Sequence, residues 1–239
     1  MRTACKLGLA CCAVLSCGQV LAWGTLLWAD APPPADVLSG GLSAWAFPRS
    51  PQGQHTELRL APAIDYRRAD GWFASTESGL GRDLSHDPDW QVGARLWPQL
   101  GRDRRDVTVT LPALGPRLQT QLFANHMVGG ALMLQSALSW GGAQRRDGLQ
   151  AETGLASGLP VAGGTVGLGL SVTWANGADR RAYAGAPASG WSDVCWTVGF
   201  DHRFDATWHV DAQLQQAKVW GPAAQGPVRM GVLTWWRDW

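Results

Sequence analysis

Residues 163–174 read GGTVGLGLSVTW. From Val166 onward every second residue is apolar (Val166, Leu168, Leu170, Val172, Trp174), and the residues between are Gly167, Gly169, Ser171 and Thr173. Two-residue periodicity marks a strand, because successive side chains leave a pleated chain on opposite faces. Large aliphatics on one face and almost nothing on the other suit a wall with an apolar medium outside and a narrow space within.

The same alternation recurs along the chain. Leu58, Leu60, Pro62, Ile64 and Tyr66 alternate with Glu57, Arg59, Ala61, Ala63, Asp65 and Arg67. Val194, Trp196, Val198 and Phe200 alternate with Cys195, Thr197, Gly199 and Asp201, and Trp208, Val210, Ala212 and Leu214 with His209, Asp211, Gln213 and Gln215. Leu132, Leu134, Leu138 and Trp140 form a further set.

A soluble β-sandwich also alternates, so the exposed faces and strand lengths must separate the two readings. Charged residues are 16% of the chain, against roughly 25% in a soluble domain, and beyond the N-terminal segment the only lysine is Lys218. The alternating runs extend over about 10 to 13 residues, longer than ordinary globular strands and matched to tilted strands crossing an outer membrane. Trp45, Tyr66, Trp72, Trp90, Trp140, Trp174, Trp208, Trp220 and Trp236 sit near strand ends, as an interfacial aromatic girdle requires. The expected fold is all-β, a closed antiparallel transmembrane barrel. Leu58, Leu60, Ile64, Val166, Leu168, Leu170, Val172, Trp174, Val194, Trp196, Val198, Trp208, Val210 and Leu214 would face lipid. Glu57, Arg59, Asp65, Arg67, Glu77, Arg95, Glu152, His209 and Asp211 would face the lumen. Closure satisfies every backbone hydrogen bond without a second protein layer.

The first residues read as an export signal. Arg2 and Lys6 precede an apolar run ending at Leu15, and Val20, Leu21 and Ala22 suit cleavage after Ala22, with Ala29 and Ala31 as later alternatives. The run is too short for a spanning helix, and a lipoprotein signal ending at Cys17 has Leu15 where a smaller residue is usual. The domain reading is therefore a signal peptide over 1–22, a Pro-rich spacer over 23–35 and the barrel over 36–239. Cys5, Cys11, Cys12 and Cys17 leave with the signal, so the exported chain keeps Cys195 alone and has no internal disulfide. Cys195 in an alternating run reads as a small filler. A net charge of +1 argues against a nucleic-acid partner.

Turn signals set the strand count. Short connections fall at residues 69–71, 128–130, 159–164 and 204–207, and longer ones at 47–54, 81–89, 176–192 and 220–226. Short turns face the periplasm in bacterial barrels and long loops face outward. Parity then needs one extra crossing between Trp97 and Arg117, assigned to the β-rich stretch 106–111, DVTVTL. The total is twelve strands with both termini periplasmic; ten is the alternative if that stretch is a loop hairpin. In the last strand Val228, Met230, Val232, Thr234 and Trp236 read as the lipid side, which puts Trp239 on the opposite parity.

Candidate chemistry is sparse. His209 and Asp211 share an inward face, with His202 near the end of the neighbouring strand, a candidate acid–base cluster. No serine is tied to them by a recognisable motif, so a hydrated lumen pair is the better reading. His55, His86 and His126 read as rim or loop residues. No metal-ligand spacing of a known type appears, and no catalytic residue, metal or cofactor is expected. The inward charges, of both signs, read as ion pairs filling a small barrel, with a selectivity lining as the alternative. Arg102, Arg104 and Arg105, Arg145 and Arg146, and Arg180 and Arg181 read as solvated turn residues or lipopolysaccharide contacts.

Residues 147–183, DGLQAETGLASGLPVAGGTVGLGLSVTWANGADRRAY, resemble the central motif of the MipA/OmpV family: a glycine-started strand, a Gly-Leu-Pro turn and an Ala-Thr-Trp-Ala-type strand end, in that order. Similar stretches are 60–66, LAPAIDY, Gly79-Leu80-Gly81, Gly101-Arg102-Asp103, Ser189-Gly190 and the run 205–214 with Trp208. Together they cover nearly all of the exported chain. The chain departs from the family pattern in a short stretch after Tyr183 and in its ending, Trp235-Trp236-Arg237-Asp238-Trp239, where an aromatic-Arg-Phe close is common. The resemblance implies a non-catalytic outer-membrane scaffold of a Gram-negative bacterium that bridges a lytic transglycosylase and a penicillin-binding protein in murein turnover, with outer-membrane lipid and lipopolysaccharide around it. A narrow porin-like channel or a surface adhesin is the alternative, and an outer-membrane hydrolase a distant third. The murein enzymes would bind the periplasmic turns, above all residues 97–107.

Overall fold

The alternating runs form strands, and the strands close on themselves. The computed structural model describes residues 32–48, 56–85, 87, 89–99, 111, 113–130, 132–224 and 226–239. The expected signal peptide, most of the expected spacer, His55, His86, Arg102, Arg104, Arg105 and residues 106–110 lie outside them. The strands are β1 (Val37–Pro48), β2 (Thr56–Arg67), β3 (Trp72–Ser75), β4 (Gly79–Asp83), β5 (Trp90–Gln99), β6 (Arg117–Val128), β7 (Leu132–Gly142), β8 (Gly148–Val161), β9 (Gly164–Ala175), β10 (Gly190–Arg203), β11 (Trp208–Val219) and β12 (Pro227–Asp238). One short helix, α1 (Gly177–Tyr183), stands between β9 and β10. Each strand pairs antiparallel with its sequence neighbours, and β1 pairs with β12 from Ser39↔Asp238 to Ala46↔Gly231, closing a barrel of twelve strands. The seam is tight: a Cβ on Gly41 would stand 1.9 Å from the Trp235 carbonyl oxygen, so only glycine lets the two backbones meet there.

The total of twelve matches the expectation, but its composition differs. No crossing between Trp97 and Arg117 is needed, because the stretch read as one strand after Gly71 is a hairpin of two short strands, β3 of 4 residues and β4 of 5. The connection at 84–89 therefore lies at the same end as the termini, with 68–71, 129–131, 162–163 and 204–207. The connections after β1, β5, β7, β9 and β11 leave from the opposite end, so Trp97, near the end of β5, stands away from the termini and not at the end expected to be periplasmic, while residues 100–107 of the expected docking segment lie outside the described residues. Leu111, the end of the expected extra strand, is a buried bend. At 162–163 the chain reverses sharply on Gly163, whose φ of 76° is a left-handed conformation suited to glycine.

The short hairpin stops part-way up the wall. β2 pairs with β3 only at Asp65, Tyr66 and Arg67, and β4 pairs with β5 only from Gly93 to Leu96. Above those positions β2 and β5 have no partner strand on their facing edges among the described residues. The Thr76 amide donates to the Ile64 carbonyl and the Leu84 amide to that of Val92, so the even-numbered backbone groups of both strands point toward this notch. Pro62 and Pro98 occupy such positions. Each lacks the N–H that an open edge would leave without a partner, the placement a strand proline tolerates.

In β12 the pairing fixes the faces the other way from the sequence reading. His209 stands opposite Trp236 and Asp211 opposite Thr234. Val228, Thr234 and Trp236 are buried in the lumen, and Met230 and Val232 share their parity. Leu233, Trp235 and Trp239 are exposed on the outer face, so the terminal aromatic agrees with the wall. Trp236 points inward because its indole N–H has an acceptor there, Asp211 Oδ2 at 2.8 Å. Trp45, opposite Val232, is also a lumen residue and not part of a girdle.

Candidate functional site

The inner surface divides into a filled half and a hollow half. Toward the long connections, Arg95 Nε donates to Gln121 Oε1 (2.6 Å), Gln121 Nε2 to Ser139 Oγ (2.8 Å) and Gln99 Nε2 to Gln119 Oε1 (2.8 Å). Arg95 also lies over the Trp97 ring at 4.7 Å. Helix α1 caps this network from above. Asn176 opens the helix by accepting from the Asp179 amide (3.0 Å), a standard N-cap, and Tyr183 at its other end donates its hydroxyl to Gln99 Oε1 (2.8 Å). Tyr183 and Ala182 pack with Leu114 and Ala143. Asp179 is fully buried and accepts from Gln150 Nε2 at 2.9 Å. A Cβ on either Gly142 or Gly148 would stand 2.7 Å from Asp179 Oδ2, so these glycines make room for the carboxyl. Burial pushes the Asp179 pKa up to about 7, against the opposing pull of the Gln150 hydrogen bond.

Toward the termini the lumen is open. A cavity of about 620 Å³ is lined on one side by Thr165, Gly167 and Gly199, and on the other by Asp65, Arg67 and Glu77. The glycines of the 163–174 stretch explain this hollow: Gly167 stands opposite Gly158 in β8 and Gly199 in β10, a patch of wall with no side chain to fill the space. Glu77, at the tip of the short hairpin, reaches across to β1 and β12, where Ser43 Oγ (3.2 Å) and Thr234 Oγ1 (2.7 Å) donate to its Oε1.

The inward face holds Glu57, Arg59, Asp65 and Arg67 from β2, Glu77 from the hairpin tip, Arg95 from β5, Glu152 from β8, and His209 and Asp211 from β11. Two pairs form within β2: Arg59 with Glu57 and Arg67 with Asp65, each at 2.7 Å. The outer face holds Leu58, Leu60, Leu168, Leu170, Trp196 and Leu214, all exposed, with Ile64, Val166, Val172, Trp174, Val194, Val198, Trp208 and Val210 on the same parity. His202 does not join His209 and Asp211. It lies on the outer parity of β10, stacked on Phe200 and edge-on to Phe204. His126 stacks on Trp90 at 4.1 Å on the outside of β6. Cys195 is buried in an apolar cluster with Ala184, Ala217, Val219 and Val228.

Sequence reasoning missed Asp201, which stands directly opposite Asp211 in the β10–β11 ladder, although its parity in the alternating run already placed it inward. It also missed the glutamine-rich lining. Among the described residues no serine hydroxyl bonds His209, whose Nδ1 faces Asp238 Oδ2 at 3.5 Å.

A family model described as MltA-interacting protein MipA matches residues 40–228. The chain belongs to the MipA family. No curated protein sequence matches it significantly. Among solved structures it is similar to an outer membrane channel from Pseudomonas putida F1, with a TM-score of 0.52 at 11% identity, covering 90% of this chain and 100% of that one. A loop-deletion mutant of OmpT, an outer membrane protein of Vibrio cholerae, aligns with a TM-score of 0.38 at 11% identity over 75% of this chain and 64% of that one. With its family and its apolar-sided closed barrel, this MipA-family chain is a Gram-negative outer-membrane protein.

Proposed function

We propose that this MipA-family barrel is a non-catalytic scaffold for murein enzymes, holding a lytic transglycosylase and a penicillin-binding protein at its periplasmic rim. The observation that carries the reading is the family match over residues 40–228, whose description names interaction with MltA. The geometry is compatible with a docking role: α1 and the Arg95, Gln99, Gln119 and Gln121 contacts fill the half of the lumen toward the long connections. Docking falls to the short turns at 68–71, 84–89, 129–131, 162–163 and 204–207. The exposed apolar outer face is covered by lipid, with lipopolysaccharide at the loop end and Arg145, Arg146 and Arg181 within its reach. The domain reading of signal peptide, spacer and barrel belongs to the same proposal. Pull-down with purified transglycosylase and penicillin-binding protein tests it: enrichment is expected, and recovery no better than with an unrelated barrel refutes it.

A second reading, a narrow porin-like channel, is favoured by the cavity of about 620 Å³ and its charged lining. Planar-bilayer recordings decide it, since a well-folded barrel without conductance removes the channel.

A further inference from the structure

Asp201 and Asp211 face one another across the β10–β11 ladder, and His209 lies two positions along the same lumen face. One donor atom from each of the three lies within 4.8 Å of the others. Like charges directly opposed on neighbouring strands repel, and no arginine or lysine pairs with either carboxylate among the described residues. Trp236 orients two of the three groups. Trp236 Nε1 donates to Asp211 Oδ2 at 2.8 Å. His209 packs parallel to the Trp236 ring with its Nδ1 3.5 Å from Asp238 Oδ2, an ion-pair separation without a hydrogen bond. Asp238 is itself fixed by Ser39 Oγ, which donates to its Oδ1 at 2.6 Å, and faces Arg203 Nη1 at 3.5 Å. A carboxylate held by an outer donor, as Trp236 holds Asp211, is an arrangement that aims a metal ligand.

We propose that Asp201, His209 and Asp211 form a binding site for a divalent transition-metal ion inside the barrel. One imidazole with two carboxylates suits zinc or its neighbours better than magnesium or calcium, which favour all-oxygen shells. All three residues line the open cavity, so the remaining coordination positions face water or a small anionic ligand. Donors around one zinc ion stand about 3.4 Å apart for bonds of about 2.1 Å, so the side chains close by roughly an ångström when the ion enters. The site is independent of the docking of murein enzymes at the turns.

The test is isothermal titration of Zn²⁺ into tag-free protein extracted from outer membranes, with Co²⁺ absorption as a second readout. One ion per barrel is expected, with visible cobalt bands of a low-coordinate site. His209→Gln and Asp211→Asn each weaken binding at least about tenfold, and Trp236→Phe weakens it less, as an outer-shell change does. His126→Gln leaves binding unchanged. Heat-modifiable gel mobility establishes that every variant is folded. Folded wild-type protein that binds no zinc at one per barrel, or binding that survives both His209→Gln and Asp211→Asn, overturns the site.

Discussion

Two parts of the wall are built by opposite rules. From β8 to β11 the strands run 12 to 14 residues and every edge is paired. Between β2 and β5 the wall is carried by a hairpin of strands 4 and 5 residues long, and the flanking edges above it carry prolines at 62 and 98. In the first region backbone satisfaction comes from pairing. In the second it comes in part from removing donors, because a proline on an open edge has no N–H to lose. The inner faces differ as well: glycines hollow out the long-stranded side, while the hairpin sends Glu77 across the lumen to tie its tip to the seam strands.

The largest expected effect contrasts the two outer faces. Leu168→Arg, mid-way along β9, costs about 2–4 kcal/mol in lipid, whereas Leu58→Arg, near the loop end of β2, costs about 0–1 kcal/mol. Urea unfolding in micelles or liposomes reads both, and equal costs would mean that the two regions sit in the same surroundings. Next comes the tie across the lumen. Glu77→Ala removes the acceptor of two hydroxyls and is expected to cost about 1–3 kcal/mol, with hydrogen exchange rising in β3 and β4 and not in β9. A change spread evenly over the barrel would show that Glu77 does not anchor the hairpin.

A smaller, pH-dependent effect concerns α1. With the Asp179 pKa at about 7 in the folded chain and 3.8 as its ordinary value, the unfolded chain releases this proton first as pH rises. Stability from this group is complete below about pH 4 and declines until about pH 7, then levels off. Protection factors at α1, taken against the intrinsic base-catalysed exchange at each pH, should therefore be higher at pH 5 than at pH 8, and Asp179→Asn should flatten the difference. The smallest effect is at the notch: Pro62→Val returns an N–H without a partner to the open edge and should destabilise by about 1 kcal/mol. A large gain would reveal a pairing partner for that edge.

Legibility in the sequence followed strand length. Over ten or more residues, the alternation in β2, β9, β10 and β11 fixed which side chains point inward, because one register slip would invert the whole strand. β3 and β4 are too short to carry a period, and Thr76, Glu77 and Ser78 hold neither proline nor glycine to announce the reversal. That hidden turn inverts the end assigned to Trp97. In β12 both faces are apolar, Val228, Val232 and Trp236 inside and Leu233, Trp235 and Trp239 outside, so hydrophobicity could not choose between them. The pairing of His209 with Trp236 did. The lone histidine and aspartate of β11 were visible, but Asp201 becomes their neighbour only through the β10–β11 register.

Lys218 is the sole lysine among the described residues, exposed on the outer face at the long-connection end of β11. An amine-reactive, membrane-impermeant dye therefore reports sidedness at a single side chain. Intact cells should label at this position, and Lys218→Arg should abolish that labelling, which makes orientation readable by mass spectrometry of one peptide.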